Sequence, residues 1–291
     1  MRDLRGRTAI LTGASGGLGS FIAPALARAG MNLTLVAFHG IGLEDLRAAA
    51  VKDGVRAISL DLDLRDPGLR REVIAATLRE FGGIDVLVNN AGVEISAAYH
   101  ELSEADIRNI LAVNLEAPMM LTRAVLPEML RQRRGHIVNM SSLAGKFGPG
   151  FQEVYSASKA ALTAFTYSLR GTYRGTGVSA SVVSPSFAEA GIYSRIKASI
   201  GRPAPGLLGA SVCSPERVAR AVVRVIRHDW PEVFVSGIPV RPFLALFPLS
   251  PFLAAWVTDK VFGAHDFFRS VAETHPPRPE IGSRAMESRQ P

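Results

Sequence analysis

The chain has 291 residues, of which 47% are hydrophobic, and this length and composition can bury the core of one large α/β domain. Its single cysteine, Cys213, excludes an internal disulfide, so we expect a reducing compartment, the cytoplasm. No Cys/His cluster has the spacing of metal ligands, so we expect no bound metal. The formal net charge is +7, but the basic residues are scattered except for Arg131, Arg133 and Arg134 near the end of a predicted helix, so we expect no nucleic-acid partner.

Short apolar runs alternate with amphipathic stretches as far as residue 236. The continuous Val/Ile/Leu character of the apolar runs indicates a parallel sheet that is covered on both faces. We therefore predict an α/β fold, a doubly wound, mostly parallel sheet of about seven strands, Rossmann-like, with helices on both faces. The predicted strands are 7–12, 32–37, 55–60, 84–88, 135–140, 178–183 and 233–236, and the predicted helices are 17–29, 42–52, 67–81, 103–132, 154–173 and 215–228.

Residues at the predicted helix ends agree with these bounds. Gly30 has the character of a C-terminal cap, and Ser103 and Ser214 have the character of N-caps. Pro215 follows at the first helical position, where its missing N–H is tolerated. The first strand is reached by Thr8, so we expect no signal peptide.

A glycine-rich turn joins the first strand to the first helix. Gly13, Gly17 and Gly19 have the spacing Gly-x-x-x-Gly-x-Gly directly after Thr12. A turn of this kind lets the backbone approach a pyrophosphate, whose charge the free N–H groups of the helix start then stabilise. The strand–turn–helix context favours a nucleotide site over an ordinary turn.

Tyr155 and Lys159 stand four residues apart, and Ser142 lies thirteen residues before Tyr155. On a helix, a separation of four places both side chains on one face. An ammonium group one turn from a phenol favours the phenolate and lowers the pKa of the phenol. Such a pair alone is more often a solvated helix pair, so the accompanying motifs decide its interpretation.

Residues 5–236 resemble the single-domain form of the short-chain dehydrogenase/reductase family. Besides the glycine turn and the Tyr-x-x-x-Lys pair, the chain contains Asn89-Asn90-Ala91-Gly92 after an apolar strand and Asn114 in Ala-Val-Asn-Leu. The resemblance implies an NAD(P)-dependent oxidoreductase that interconverts an alcohol and a ketone or aldehyde by hydride transfer. A catalytically weak nucleotide-binding scaffold or redox sensor with the same fold is the alternative.

The resemblance implies four catalytic residues. Tyr155 would be the general acid in reduction and the base in oxidation, and Ser142 would stabilise the charge on the substrate oxygen. Lys159 would hold the nicotinamide ribose and lower the pKa of Tyr155. The Asn114 side chain and a water would extend a proton relay from Lys159 to solvent. Ser141 is the rival serine, but the family's serine lies thirteen residues before the tyrosine.

The same resemblance assigns the cofactor contacts. Asp63 aligns with an aspartate that contacts the adenine amino group, although Asp61 is a close alternative, and Asn89 is expected to bond neighbouring strand ends. The implied cofactor-binding residues are Gly13, Ser15, Gly16, Gly17, Leu18, Gly19, Phe38, His39, Asp63, Leu64, Asn90, Ala91, Gly92, Tyr155, Lys159, Pro185 and Phe187.

The end of the second strand bears on the choice between NAD and NADP. NAD-specific members carry an acid where Ala37 aligns, because a carboxylate binds the ribose hydroxyls and repels a phosphate. NADP-preferring members often carry Arg where Phe38 aligns. This chain has neither, and His39 offers a partial positive charge, so NADP is slightly favoured although no guanidinium clamp is visible.

The segment after the sixth strand departs from the family pattern. Ser186 replaces a glycine, and Ala190 stands near the threonine that holds the nicotinamide carboxamide, although the backbone of Phe187 could still grip that group. We expect residues 187–213 to form a mobile substrate lid. The apolar lid residues indicate a hydrophobic substrate or simply pack the lid closed: Ile192, Tyr193, Ile196, Leu207 and Leu208.

Beyond the catalytic domain, predicted as residues 1–237, we expect an apolar extension, 238–274, packed on it, and a disordered tail, 275–291. The run 242–257 is too short and too rich in proline to span a bilayer. It could wall the substrate pocket, form a subunit contact in a homo-oligomer, or lie on a membrane surface. The last is not favoured, because the run lacks a charged face.

Overall fold

The computed structural model describes residues 1–274. Within them, seven strands form one parallel sheet in the order β3-β2-β1-β4-β5-β6-β7, with helices on both faces, which confirms the predicted fold. The chain reverses its direction of winding between β1 and β4, and this is the point where ligands bind in such sheets. The strands are β1 Thr8–Thr12, β2 Asn32–Ala37, β3 Ala57–Asp61, β4 Val86–Asn89, β5 Gly135–Met140, β6 Val178–Pro185 and β7 Glu232–Val235.

The predicted helices are present within two residues of their expected bounds. The short helix α6 and the helices from α8 to α9 and from α11 to α13 were not predicted from periodicity. The helices are α1 Gly19–Arg28, α2 Leu43–Lys52, α3 Pro67–Phe81, α4 Glu104–Leu111, α5 Ala117–Arg131, α6 Ala144–Phe147, α7 Glu153–Thr172, α8 Ile192–Ile200, α9 Gly206–Ala210, α10 Pro215–His228, α11 Arg241–Leu249, α12 Pro251–Trp256 and α13 Ala264–Glu273.

The central strand β1 is buried on both faces. Successive side chains of a strand point to opposite faces, so Leu11 packs in the core beside α1 and α10, whereas Ile10 packs in the core beside α3 and α5. Ile22 of α1 and Leu121 of α5 are representative of the two layers, and both are almost fully buried. This two-sided covering explains the continuous apolar runs in the sequence.

The predicted helix 103–132 is one helical run with an irregular centre. Between α4 and α5, residues Ala112–Glu116 form a π-helical turn that contains Asn114. Among the described residues, the run Glu104–Arg131 is the one helix long and apolar enough to cross a membrane by length and composition. Its buried side chains, such as Leu121 and Val125, belong to the core beside the sheet, as in the core helix of a globular domain.

The predicted helix caps are confirmed. Gly30 lies two residues after the end of α1 at Arg28, in the left-handed region with φ of +86°. The Ser103 hydroxyl accepts a hydrogen bond from the Asp106 N–H at 3.1 Å, and the Ser214 hydroxyl accepts one from Arg217 at 3.4 Å. These bonds satisfy N–H groups that a helix start leaves free.

One helix changes the interpretation of the charge. Arg217, Arg220, Arg224 and Arg227 recur every three or four residues along α10, and all are exposed. The expectation that the basic residues are scattered is therefore wrong for this helix, because helical spacing gathers residues that are separated in the sequence.

The apolar extension packs on the catalytic domain through α11, which contacts α6, and α13, which contacts α8. The predicted tail, 275–291, lies outside the described residues.

Candidate active site

A largely apolar cavity of about 230 Å³ lies where β1, β4, β5 and β6 end. The catalytic residues Ser142, Tyr155 and Lys159 line it. It also brings together the predicted cofactor residues Gly13, Gly16, Gly17, Leu18, Asn90, Ala91, Gly92, Pro185 and Phe187. The remaining predicted site residues lie outside its lining: Ser15, Gly19, Phe38, His39, Asp63, Leu64 and Asn114.

The glycine turn is shaped by backbone contacts that exclude side chains. A Cβ atom on Gly13 would lie 2.8 Å from the Ala91 Cα, and one on Gly19 would lie 2.0 Å from the Gly13 carbonyl oxygen. The Asn90 amide donates to the carbonyl oxygens of Thr12 and Gly13, each at 3.0 Å, and so ties the turn to the end of β4. The turn is therefore a rigid backbone cradle at a helix start, which fits a pyrophosphate.

A strap, residues 188–191, crosses the glycine turn. A Cβ atom on Gly17 would lie 2.2 Å from the Gly191 Cα, so Gly17 has no room for a side chain, and a Cβ atom on Gly191 would lie 3.1 Å from the Gly17 Cα. Ala188 pairs with Cys213, which anchors the strap to the end of the lid. Ala190 lies in the strap and lines the cavity, so the place where the family pattern has a threonine does face the site.

Tyr155 lies at the base of the cavity near the start of α7. Burial raises the pKa of its phenol to about 12, the negative charge of Glu94 adds to the rise, and a hydrogen bond with Ser142 opposes it. This is the opposite of the direction expected from the sequence. Burial is the largest cause of the rise, and the Lys159 nitrogen, 5.7 Å from the Tyr155 ring centre, does not lower the pKa.

Lys159 is also buried, and burial lowers the pKa of its ammonium to about 8. Its Nζ donates to the Met140 carbonyl oxygen at 3.0 Å, which fixes the side chain at the end of β5. A Cβ atom on Gly92 would lie 3.4 Å from both the Lys159 Nζ and the Asn114 Oδ1, so these groups converge at one point.

Asn114 is fully buried, and its side chain acts as a brace. It accepts a hydrogen bond from the Val93 N–H at 2.8 Å and donates to the Val93 carbonyl at 2.9 Å and to Ser158 at 3.2 Å. The π-helical turn directs it between the loop after β4 and α7. These contacts hold the two elements together, and the proton relay through this side chain stays a prediction.

The two serines differ in surroundings. The Ser141 hydroxyl donates to the Lys159 carbonyl oxygen at 2.9 Å and contacts the Thr163 hydroxyl at 2.9 Å, so it serves to dock α7 on β5. The Ser142 hydroxyl accepts from the Ala144 N–H at 3.1 Å, and it lies near enough to the Tyr155 phenol to oppose the rise of that pKa. Asn89 donates to Asn139 at 2.8 Å across β4 and β5, as expected for a residue that joins strand ends.

A polar cluster beside the cavity was missed from the sequence. The Gln152 amide donates to Glu94 at 2.9 Å and to Ser96 at 3.3 Å, and the Ser96 hydroxyl also donates to Glu94. Gln152 lines the cavity and is 3% exposed. Its position three residues before Tyr155 was the available signal, because residues i and i+3 share a helix face.

The predicted adenine end lies at the neighbouring ends of β2 and β3. Asp63 is held by Arg65 at 2.6 Å, which keeps the pKa of its carboxyl below the ordinary value, whereas Asp61 accepts from the Gly40 N–H at 3.2 Å. The Arg65 guanidinium also lies over the Phe38 ring at 5.5 Å. The sequence indicated no guanidinium here, because Arg65 reaches the end of β2 from the loop after β3.

The extension supplies one wall of the cavity. The rings of Phe243 and Phe262 line it, with their centres 4.6 Å apart, and Phe243 also lies 5.9 Å from Phe147 of α6. The outer face of the same segment is open, since Phe252 is 86% exposed. The structure therefore places the inner face at the cavity and leaves the outer face at the surface.

The lid forms two helices, α8 and α9, whose apolar residues have different positions. Tyr193, Ile196 and Leu208 are buried against Phe267 and other residues of α13, whereas Leu207 is 43% exposed. Tyr193 and Leu208 also line the cavity. The lid residues therefore do both things that the sequence left open: they pack the lid closed and provide an apolar wall.

Comparison with known proteins agrees with this geometry. A sequence model of the family described as short chain dehydrogenase matches residues 7–200. The chain belongs to the short-chain dehydrogenase/reductase family. It is 38% identical over 297 residues to the "Ketoacyl reductase HetN" of Nostoc sp., covering 99% of each chain. It is also 30% identical over 265 residues to a "Dehydrogenase/reductase SDR family protein 7-like" of Drosophila melanogaster, covering 89% of this chain and 81% of that one.

Two solved structures extend the comparison to the cofactor. A metagenomic short-chain oxidoreductase in complex with NADP is 31% identical, with a TM-score of 0.68, over 80% of this chain and 97% of that one. A short-chain dehydrogenase/reductase from Burkholderia phymatum in complex with NAD is 26% identical, with a TM-score of 0.76, over 87% of this chain and 96% of that one. The chain is an NAD(P)-dependent oxidoreductase, and its glycine cradle fits this cofactor.

Proposed function

We propose that this short-chain dehydrogenase/reductase interconverts an alcohol and a ketone or aldehyde on a hydrophobic small molecule, with Tyr155 as the acid and base. The observation that carries the proposal is one cavity in which the Tyr155 phenol, the Ser142 hydroxyl and the Lys159 ammonium lie with the glycine cradle. When bound, the reduced nicotinamide supplies the hydride to the carbonyl carbon. Tyr155 donates its proton to the carbonyl oxygen in the same step.

The electrostatics fit Tyr155 as the proton donor when the substrate is reduced. Because burial raises the pKa of Tyr155 to about 12, the phenol holds its proton at neutral pH and is ready to act as an acid. Ser142 lines the cavity beside Tyr155 and would donate to the same substrate oxygen, where negative charge develops.

The walls of the cavity support an apolar substrate. Phe147 of α6, Phe187, Ile192 and Leu208 of the lid, and Phe243 of the extension line it. Apolar walls with few convergent polar groups are typical of small-molecule sites. The name of the Nostoc relative, a ketoacyl reductase, agrees with a substrate that joins a carbonyl to an apolar chain.

NADP is the proposed preference. No carboxylate stands at Ala37 to repel a 2′-phosphate, and the Arg65 guanidinium lies over Phe38 at the end of β2. Replacing Ala37 by Asp should shift the ratio of kcat/KM for the two cofactors toward NAD, because the carboxylate repels phosphate and accepts bonds from ribose hydroxyls. An unchanged ratio would mean that Ala37 does not face the adenosine ribose.

We also propose a cytoplasmic homo-oligomer. Exposed apolar side chains on α4 and α5, namely Leu111, Met119 and Met120, support self-association. The single cysteine is buried, in agreement with a reducing compartment. Sedimentation velocity of the wild type and of Met119→Glu/Met120→Glu tests the oligomer, which should dissociate in the variant.

The main test is a screen of hydrophobic ketones and aldehydes with both reduced cofactors, followed by nicotinamide absorbance. The variant Tyr155→Phe should lower turnover about 100- to 10,000-fold while cofactor binding stays close to wild type, because it deletes a proton donor and little volume. Tyr167→Phe, which removes an exposed hydroxyl bonded to Glu232, is the matched control and should keep its activity. Cofactor binding without turnover of any carbonyl compound would instead support the nucleotide-binding scaffold.

A further inference from the structure

A groove lies between α1 and α10, on the face of the sheet opposite α3 and α5. Its volume is about 630 Å³. Four arginines line it: Arg28 of α1 and Arg220, Arg224 and Arg227 of α10. We call this surface the arginine groove.

The sequence of α10 explains the stripe. Val218, Val222 and Val225 are fully buried in the core, whereas Arg220, Arg224 and Arg227 are exposed on the other side of the helix. The arginines are separated by four and three residues, which keeps them on one face. At a rise of 1.5 Å per residue, the stripe extends over about 10 Å.

The charges of the arginine groove are not balanced by the protein itself. Within residues 1–274, none of the four arginines forms an ion pair, whereas Arg47, Arg56 and Arg79 on other exposed surfaces each pair with a glutamate. Of the described residues that line the groove, only Glu216 is acidic. Like charges at these helical spacings repel, so an external anion would stabilise the arrangement.

The floor of the groove is apolar. Phe21, Pro24 and Ala25 of α1 and Val223 of α10 lie between the arginines, and Phe21 and Val223 are partly exposed. A groove between two helices accepts the ridge of a third helix, whose apolar side chains fill the floor. A ligand with one apolar face and one acidic face would therefore match both the floor and the rim of the groove.

We propose that the arginine groove binds an acidic amphipathic helix of a partner protein. Leucine-like side chains of that helix would fill the floor over Phe21 and Val223. Carboxylates repeated at intervals of three and four residues would meet Arg220, Arg224 and Arg227, and Arg28 would close the other side. This proposal is independent of the reaction proposed above, since the groove shares no lining residue with the cavity at Tyr155.

The charges and shape oppose other occupants. A second copy with its α10 against this one would place arginine stripes together, and like charges repel. The segment 275–291 has three arginines and two glutamates, so its charge does not complement the groove. A bilayer surface is flat and would not reach the apolar residues, which lie in the floor of the groove. The phosphate backbone of a nucleic acid is polar and would leave that floor without an apolar partner.

The test uses the full chain and a synthetic helical peptide of roughly fifteen residues, with glutamates every three or four positions and leucines on the adjoining face. Fluorescence anisotropy measures binding of the labelled peptide and of an analogue with every glutamate replaced by glutamine. The groove variant is Arg220→Glu/Arg224→Glu. The matched control is Arg71→Glu/Arg174→Glu, which has the same change in net charge at two exposed arginines that form no ion pair among residues 1–274.

We expect the wild type to bind the glutamate peptide, and added salt to weaken binding. The groove variant should bind about tenfold or more weakly, and the control variant should change by less than about twofold. Equal binding of the glutamine analogue, equal binding by the groove variant, or no binding by the wild type would overturn the proposal. Tighter binding of single-stranded DNA or of phosphatidylglycerol vesicles, lost in the groove variant, would overturn it in favour of a nucleic acid or a membrane surface.

Discussion

Replacing Phe243 by alanine removes one ring from the aromatic cluster that walls the cavity. This ring lies 4.6 Å from Phe262, 5.4 Å from Phe247 and 5.9 Å from Phe147, measured between ring centres. Burial of a phenylalanine side chain stabilises a protein by about 1.5–3 kcal/mol, and each aromatic pair adds about 0.5–1.5 kcal/mol. Because Phe243 is partly exposed and such pairs are not additive, we expect the free energy of unfolding to fall by about 2 kcal/mol.

The matched control is Phe252→Ala, in the next helix of the same segment. Its ring is 86% exposed, so its loss should change the free energy of unfolding by less than about 0.5 kcal/mol. Urea unfolding followed by far-UV circular dichroism gives both values. Because Phe243 lines the cavity and Phe252 does not, KM for a bulky ketone should rise in the first variant only.

Two results would refute this reasoning. Equal destabilisation by both substitutions would mean that exposure does not distinguish the two faces of the extension. A destabilised Phe243→Ala variant with unchanged KM would mean that the ring supports the fold without contacting substrate. The second result would remove Phe243 from the substrate site.

Two further predictions follow from buried charges, and a third follows from the contact between the strap and the glycine turn. Lys159→Met should abolish turnover but raise the free energy of unfolding at pH 7 by about 2 kcal/mol, because the cost of burying the ammonium exceeds its one hydrogen bond. Urea titrations of both proteins should show this gain shrinking as the pH rises from about 8 to 10.5, because native Lys159 loses its proton near pH 8 and unfolded Lys159 loses it near pH 10.5. A gain that stays constant over this range would contradict the low pKa of Lys159. Burial, opposed by Asp229, lowers the pKa of His136 to about 4. The free energy of unfolding should therefore fall by up to about 3 kcal/mol as the pH drops from 6.5 to about 4, because the unfolded state binds the proton first. His136→Gln should lack this acid-sensitive step. Gly17→Ala should displace the strap and speed trypsin cleavage after Arg195. The control Gly16→Ala should not, because its added Cβ would meet its nearest atom at 3.4 Å. Equal cleavage rates in the two variants would show that the position of the strap does not depend on the contact between Gly17 and Gly191.

The local motifs of this chain are fixed by residues close together in the sequence. The glycine turn requires only that Gly13, Gly17 and Gly19 follow a strand and open a helix, and the helix caps require only one hydroxyl near a few N–H groups. The spacing from Tyr155 to Lys159 is set by one helical turn. For this reason, the strands, most helices and the family could be predicted from the sequence.

The direction of the Tyr155 pKa shift could not be predicted in this way. One turn of helix predicts an ammonium beside the phenol, but burial is the sum of contacts from β4, β5, the lid and the extension. Glu94, which adds to the shift, stands 61 residues before Tyr155 in the chain. Desolvation depends on how many such distant segments exclude water, so only the assembled fold decides which effect is larger.

The same limit applies to the surfaces. The sequence alone determined that 242–257 is apolar, whereas the arginines of α10 were interpreted as scattered charges. Only the tertiary structure decided that Phe243 faces the cavity while Phe252 faces outward, and that Arg28 lies across a groove from Arg220. The physical reason is that hydrophobicity and charge are properties of single residues, whereas a wall or a groove exists only between elements that pack from distant parts of the chain.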